Sequence, residues 1–181
     1  MIIMINKIAA VVIILILMPP LGADSQPPEN KERLEEIVGR LFINYKSLSS
    51  VYRDLHEAAL DNLIGPEQQL SYIQKTYLFV SEANLMCFYQ WELLSIIGYI
   101  KEESKSDYFT LRVKDLDKAI FESKDRINSL KLYYAFIEHT SAKKSIDEAI
   151  GLIEANVYIY EEVLQILEPL SNPPNPFNPK I

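Results

Sequence analysis

Between residues 34 and 59, apolar and aromatic side chains recur at alternating steps of four and three: Leu34, Val38, Leu41, Tyr45, Leu48, Tyr52, Leu55 and Ala59. That rhythm keeps one face of an α-helix apolar, and it does not fit the two-residue alternation of a half-buried strand. No charged residue interrupts it. A seam this long restricts the chain to architectures in which helices bury a stripe against one another.

Three further segments repeat the pattern. The second seam runs Leu70, Ile73, Tyr77, Val80, Asn84, Cys87, Trp91 and Leu94. The third runs Val113, Leu116, Ile120, Ser123, Ile127, Leu130, Tyr134 and Ile137, and the fourth Ile146, Ile150, Ile153, Val157, Tyr160, Leu164 and Leu167. Gly65-Pro66 separates the first two, with glycine as a C-terminal stop and proline suited to a first helical turn. The polar run at 104–107 is the expected second turn. Ser145 and Glu148 have the spacing of a capping box, with Ser141 as an alternative start, and Pro169 is the expected stop.

The predicted helices therefore cover about 31–63, 67–103, 108–139 and 146–168. Five glycines in 181 residues suit a fold with few turns. Short connections make consecutive helices antiparallel, so the expected fold class is all-α, an up-down-up-down four-helix bundle over 31–168.

The flanks read differently. Residues 1–23 carry one positive charge, Lys7, then an apolar run over 8–18, then Pro19-Pro20 and small residues ending at Ala23. That is the layout of a signal peptide cleaved before Asp24. The alternative is an uncleaved anchor to an inner membrane through residues 1–18. Residues 24–30 form a polar linker, and 169–181 a proline-rich tail expected to be disordered, without a core of its own.

Charge and cysteine usage narrow the partners. The formal net charge is −7, with no basic cluster, which disfavours nucleic acid and anionic lipid surfaces. Contact with a membrane is expected only through the N-terminal segment. Cys87 is the single cysteine, so no intrachain disulfide can form. Small exported domains of oxidising compartments usually carry paired cysteines. The combination points to a bacterial periplasmic or secreted protein that relies on its core.

Residues 77–100 are the candidate functional stretch. Glu82 and Glu92 argue against a membrane span, since each would cost a few kcal/mol near its centre. Helical geometry turns Asn84, Cys87 and Trp91 inward and the two glutamates outward. They lie ten residues apart, about 15 Å along the axis, which does not make them a paired acid and base. Leu78, Leu85, Leu93, Ile96 and Ile100 also fall on the outer side. They form a candidate partner surface, for a homodimer or for another protein.

Two other clusters come from register. Asn84, Tyr45, Ser123 and Tyr160 fall at similar depth, as a polar layer that sets register or lines a small-ligand pocket. His56 and His139 fall near one end, together with Glu57, Asp61, Glu67 and Glu138, and are weak candidates for a metal site. Haem-attachment, di-iron, zinc-protease, phosphate-loop and nucleophile-elbow motifs are all missing. No cofactor and no catalytic activity is expected. The primary expectation is an exported bundle that binds or scaffolds a protein partner or itself. The second is a small-ligand or metal-binding bundle.

Overall fold

The computed structural model describes residues 28–61 and 66–171. The expected signal peptide, and most of the expected linker and proline-rich tail, lie outside the described residues. The described chain is all-helical, with four long helices and no strand. These are α1 (Pro28–Asp61), α2 (Glu67–Ser95), α3 (Glu102–Tyr134) and α4 (Thr140–Ser171), with a single 3-10 turn at Ile97–Tyr99. At about 1.5 Å per residue each helix is about 45–50 Å long.

Side-chain pairs give the packing directly. Along α1 and α2, Phe42 meets Trp91, Tyr45 meets Phe88, Ser49 meets Asn84 and Tyr52 meets Tyr77. Numbers rise on one helix as they fall on the other, so the two run antiparallel. The same holds for α3 and α4, where Lys124 pairs with Glu161 and Lys131 with Glu154. Asn44 bonds Asn156 and Arg33 bonds Glu162 between α1 and α4. Helix α1 packs broadly on α2 and α4, and α3 on α4, whereas α2 makes only a narrow contact with α3.

The line of deepest burial differs from the predicted seams. On α1 it runs through Ile37, Leu41, Leu48, Val51, Leu55 and Ala58, and on α2 through Ile73, Thr76, Val80, Ala83, Cys87, Gln90 and Leu94. Leu41, Leu48, Leu55, Ile73, Val80, Cys87 and Leu94 were expected there. Tyr45, Tyr52, Tyr77, Asn84 and Trp91 instead sit half-buried, one residue round the helix. On α1 and α2 that line is filled by aliphatic and small polar side chains, and the buried rings of the core, Phe109 and Tyr160, come from α3 and α4. The aromatic residues take the wider groove between α1 and α2. On α3 the same shift puts Arg112 and Ala119 inside and leaves Val113 and Ile120 half-buried.

Several helix boundaries also differ. The second turn lies at 96–101, and residues 104–107 belong to the first turns of α3, with Ser104 N–H bonded to the Lys101 carbonyl at 2.9 Å. Glu102 and Glu103 complement the positive end of the α3 dipole. Tyr108 Oη donates to the Leu93 carbonyl at 2.6 Å and ties this turn down. Ile97 is buried beneath it as a plug.

Helix α3 ends at Tyr134 rather than 139, because Gln69 of α2 clamps the following segment. Its amide donates to the Phe136 carbonyl and accepts from the Glu138 N–H, both at 2.9 Å. Helix α4 begins at Thr140, so Ser145 and Glu148 lie inside it and cap nothing. Pro169 sits in its last turn, where its missing N–H removes a single hydrogen bond, and the helix runs on to Ser171.

Candidate partner-binding face

Helix α2 divides into three sides. One belongs to the core and a second to the aromatic groove with α1. The third faces away from the bundle. There Leu78 is 56% exposed, Leu85 67%, Tyr89 49% and Ile96 39%. At 100° per residue these four side chains and the two glutamates, Glu82 and Glu92, fall within an arc of about 80°. The stripe spans 18 residues, or about 27 Å. Scattered apolar residues on a surface are ordinary. Here they share one face of one helix, and that face has no cover among the described residues.

Of the five residues predicted for this surface, Leu78, Leu85 and Ile96 lie on the stripe. Leu93 and Ile100 do not, and both are half-buried. Leu93 turns toward α3, where its carbonyl receives Tyr108, and Ile100 belongs to the turn. Tyr89 was not among the predicted residues. Its position was readable, because it stands four residues after Leu85 and seven before Ile96.

The electrostatics of the face are simple. The Glu82 carboxylate lies 3.3 Å from Arg126 Nε of α3, near enough to attract but poorly aligned as a hydrogen bond. Glu92 makes no ion pair among the described residues. Both carboxylates are interleaved with the apolar side chains rather than kept to a rim.

The proposed polar layer has a different membership. Asn84 accepts from Ser49 Oγ at 3.2 Å on the α1 side. Tyr45 packs on Phe88 with the rings tilted at 45°, and Ser123 donates to Met86 Sδ at 3.6 Å. Tyr160 is buried beside Cys87. Among the described residues no hydrogen bond joins any two of Asn84, Tyr45, Ser123 and Tyr160. The polar groups that do meet in the core are Asn44, Cys87, Asn156 and Tyr160. Asn44 donates to Asn156 at 2.9 Å, and Cys87 Sγ donates to the Leu41 carbonyl at 3.4 Å. Burial pushes the Cys87 thiol up to about 12, against the opposing hydrogen bonds from Asn156 and Tyr160. Burial likewise holds the Tyr160 phenol well above its ordinary range. Such a thiol stays protonated and is no nucleophile.

The histidines serve two local roles. His56 is exposed, with its ring 5.6 Å from that of Tyr77. His139 was expected in the last turn of α3 and instead precedes α4. Its carbonyl receives Lys143 N–H at 3.0 Å, while Nδ1 accepts from Ala142 N–H at 3.3 Å and meets Ser141 Oγ at 2.9 Å. It is the N-cap of α4, acting through a ring lone pair. Among the described residues no three His, Cys, Asp or Glu side chains are grouped as metal ligands. The same end has a shallow recess between Asp54, Glu57 and Asp61 of α1 and Ser141, Lys144 and Glu148 of α4. It is open to water and carries mixed charge.

No described helix is long and apolar enough to cross a membrane. Compared with protein-family models, curated proteins and solved structures, the chain matches none.

Proposed function

We propose that this protein is an exported helical-bundle module that acts by binding or scaffolding a protein partner, or a second copy of itself, rather than by catalysis. One observation carries the reading: Leu78, Leu85, Tyr89 and Ile96 stand exposed on a single face of α2 while its opposite side fills the core. Apolar area grouped this way is a reservoir of association free energy, at roughly 25 cal/mol per Å² removed from water. The up-down-up-down scaffold supports the role, because broad packing against its antiparallel neighbour α1 holds α2 as a stiff rod. The export part of the reading rests on the sequence of residues 1–23 and is checked by N-terminal sequencing of protein recovered from outside the cytoplasm.

The binding part is tested by placing a photo-crosslinking amino acid at position 85, and separately at Gln165, an exposed polar position of α4, in cells that naturally make the protein. Crosslinking to one discrete species at 85 and not at 165 supports the reading. Equal or no crosslinking at the two positions sinks it.

A further inference from the structure

We propose that the occupant of the α2 face is an amphipathic helix whose apolar residues are interleaved with lysine or arginine. This rests on the reading that the face is a docking surface and adds the chemistry of the partner. The argument begins with what a stiff helical stripe can receive. A 27 Å line of apolar side chains at steps of seven, four and seven matches the i, i+3, i+4, i+7 anchors of another helix. A partner lying along it would set its own apolar residues between Leu78, Leu85, Tyr89 and Ile96.

Charge then separates the occupants. The only groups within the stripe that carry charge at neutral pH are Glu82 and Glu92, both acidic. Among the described residues Glu92 has no ion-pair partner, and Glu82 has one poorly aligned contact with Arg126. Covering Glu92 without a cation would strand a desolvated negative charge, and covering Glu82 would leave it only the poorly aligned Arg126 contact. A second copy answers this badly. Leu78 and Ile96, Leu85 and Tyr89, and Glu82 and Glu92 are each placed symmetrically about residue 87. Antiparallel self-pairing would therefore set apolar side chains against each other, but also Glu82 of one copy against Glu92 of the next. A helix with a basic residue in each of those two places turns both clashes into ion pairs. The whole-chain charge of −7 would draw such a helix in from a distance.

The test uses two labelled 21-residue peptides with identical leucine anchors, one carrying lysine and the other glutamate at the interleaved positions. Fluorescence anisotropy with the purified protein should show saturable one-to-one binding of the lysine peptide, weakening several-fold as salt rises from about 50 to 300 mM. The glutamate peptide should not bind. Leu85→Glu should abolish lysine-peptide binding even though it makes the face more acidic, and Glu92→Gln should weaken it about three- to tenfold. Helical circular dichroism checks that each variant is folded. Lysine-peptide binding that survives or tightens in Leu85→Glu would reflect bulk charge and overturns the proposal. Equal binding of both peptides overturns it too. A dimer in light scattering that dissociates on Leu85→Glu would make a second copy the occupant, overturning the basic helix while leaving the docking reading intact. Loss of the discrete crosslink at position 85 would remove both.

Discussion

The two flanks of α2 are built on opposite principles. Toward α1 the contact is aromatic and tightly stitched. Tyr52 and Tyr77 stack with ring centres 4.4 Å apart and share a short hydroxyl hydrogen bond, and Phe42, Trp91, Phe88 and Tyr45 continue the column. Toward α3 the contact is narrow, and it encloses polar atoms with no hydrogen-bond partner: Gln90 Oε1, Arg112 Nε and Nη1, and Arg126 Nε. Stacked rings bury large areas and add pairwise attraction, whereas each unpaired polar atom in a dry place costs roughly 1–3 kcal/mol. The difference teaches that α2 is anchored from one side. The closed side of α1, α2 and α4 holds it in place, and the α3 side is a weaker joint.

The largest expected effect probes the closed side. Cys87 sits within it, against Leu41 of α1 and Asn156 and Tyr160 of α4. Its ordinary pKa of 9.0 is raised to about 12 in the folded protein, chiefly by burial. On raising the pH the unfolded thiol loses its proton first, so alkali favours unfolding. The stabilisation is complete below about pH 9 and is lost as pH climbs to about 12, by on the order of 4 kcal/mol. Urea midpoints measured between pH 8 and 11 should fall steeply. Cys87→Ala should lower stability at pH 8 but flatten the decline, and an unchanged slope would place the thiol in a wetter site than it occupies here.

The next effect probes the weaker joint. Arg112 is 2% exposed, its Nη2 pairs with Asp115, and its guanidinium lies 5.5 Å from the Tyr108 ring. Asp115→Asn leaves that charge uncompensated and should cost about 3 kcal/mol. Arg112→Met removes charge and unpaired donors together, and should leave stability unchanged or raise it by about 1 kcal/mol. Denaturant midpoints check both. If Arg112→Met were as damaging as Asp115→Asn, the α3 side would be as well satisfied as the α1 side.

The helical class and the four-helix count were legible because apolar periodicity is a local property of each segment. The Pro66 start of α2 was legible too, since proline and glycine punctuate by backbone restriction alone. The depth order on each helix was not. Tyr52, Tyr77 and Trp91 carry more apolar area than Val51, Thr76 and Gln90, yet the smaller residues lie deeper. Which face is central depends on where three other helices converge, and no single segment contains that information. Turn positions set by distant partners were hidden for the same reason. Gln69 clamps residues 136–138 across 67 positions of sequence. His139 falls inside the predicted third helix, yet its ring nitrogen caps the next one. On the candidate face, Leu78, Leu85 and Ile96 were legible from angle alone. Leu93 failed because α3 happens to cover it.

A smaller effect sharpens the contrast at its centre. Gln90 is 3% exposed, and its carbonyl oxygen meets no donor. Gln90→Met keeps length and flexibility while removing the unpaired acceptor, and should raise stability by about 1 kcal/mol. A loss of that size instead would show that the oxygen has a partner.

The smallest effect lies in the aromatic groove. Tyr77→Phe keeps the ring stack and removes one hydroxyl from the pair with Tyr52. Both side chains are half-buried, so the remaining Tyr52 hydroxyl can turn to water. The net loss should be about 0.5–1 kcal/mol, the worth of one ordinary hydrogen bond. The Tyr52 hydrogen bond raises the Tyr77 pKa above 10.0, with burial adding to it. Its contribution is therefore present below about pH 10 and is lost as pH rises through the folded value. Thermal melts of Tyr77→Phe at pH 7 and pH 11 test the two together. The variant should trail the parent at pH 7 and close the gap at pH 11. A gap that widens with pH would mean that folding lowers the Tyr77 pKa instead of raising it, with the Tyr52 hydroxyl donating to a Tyr77 phenolate.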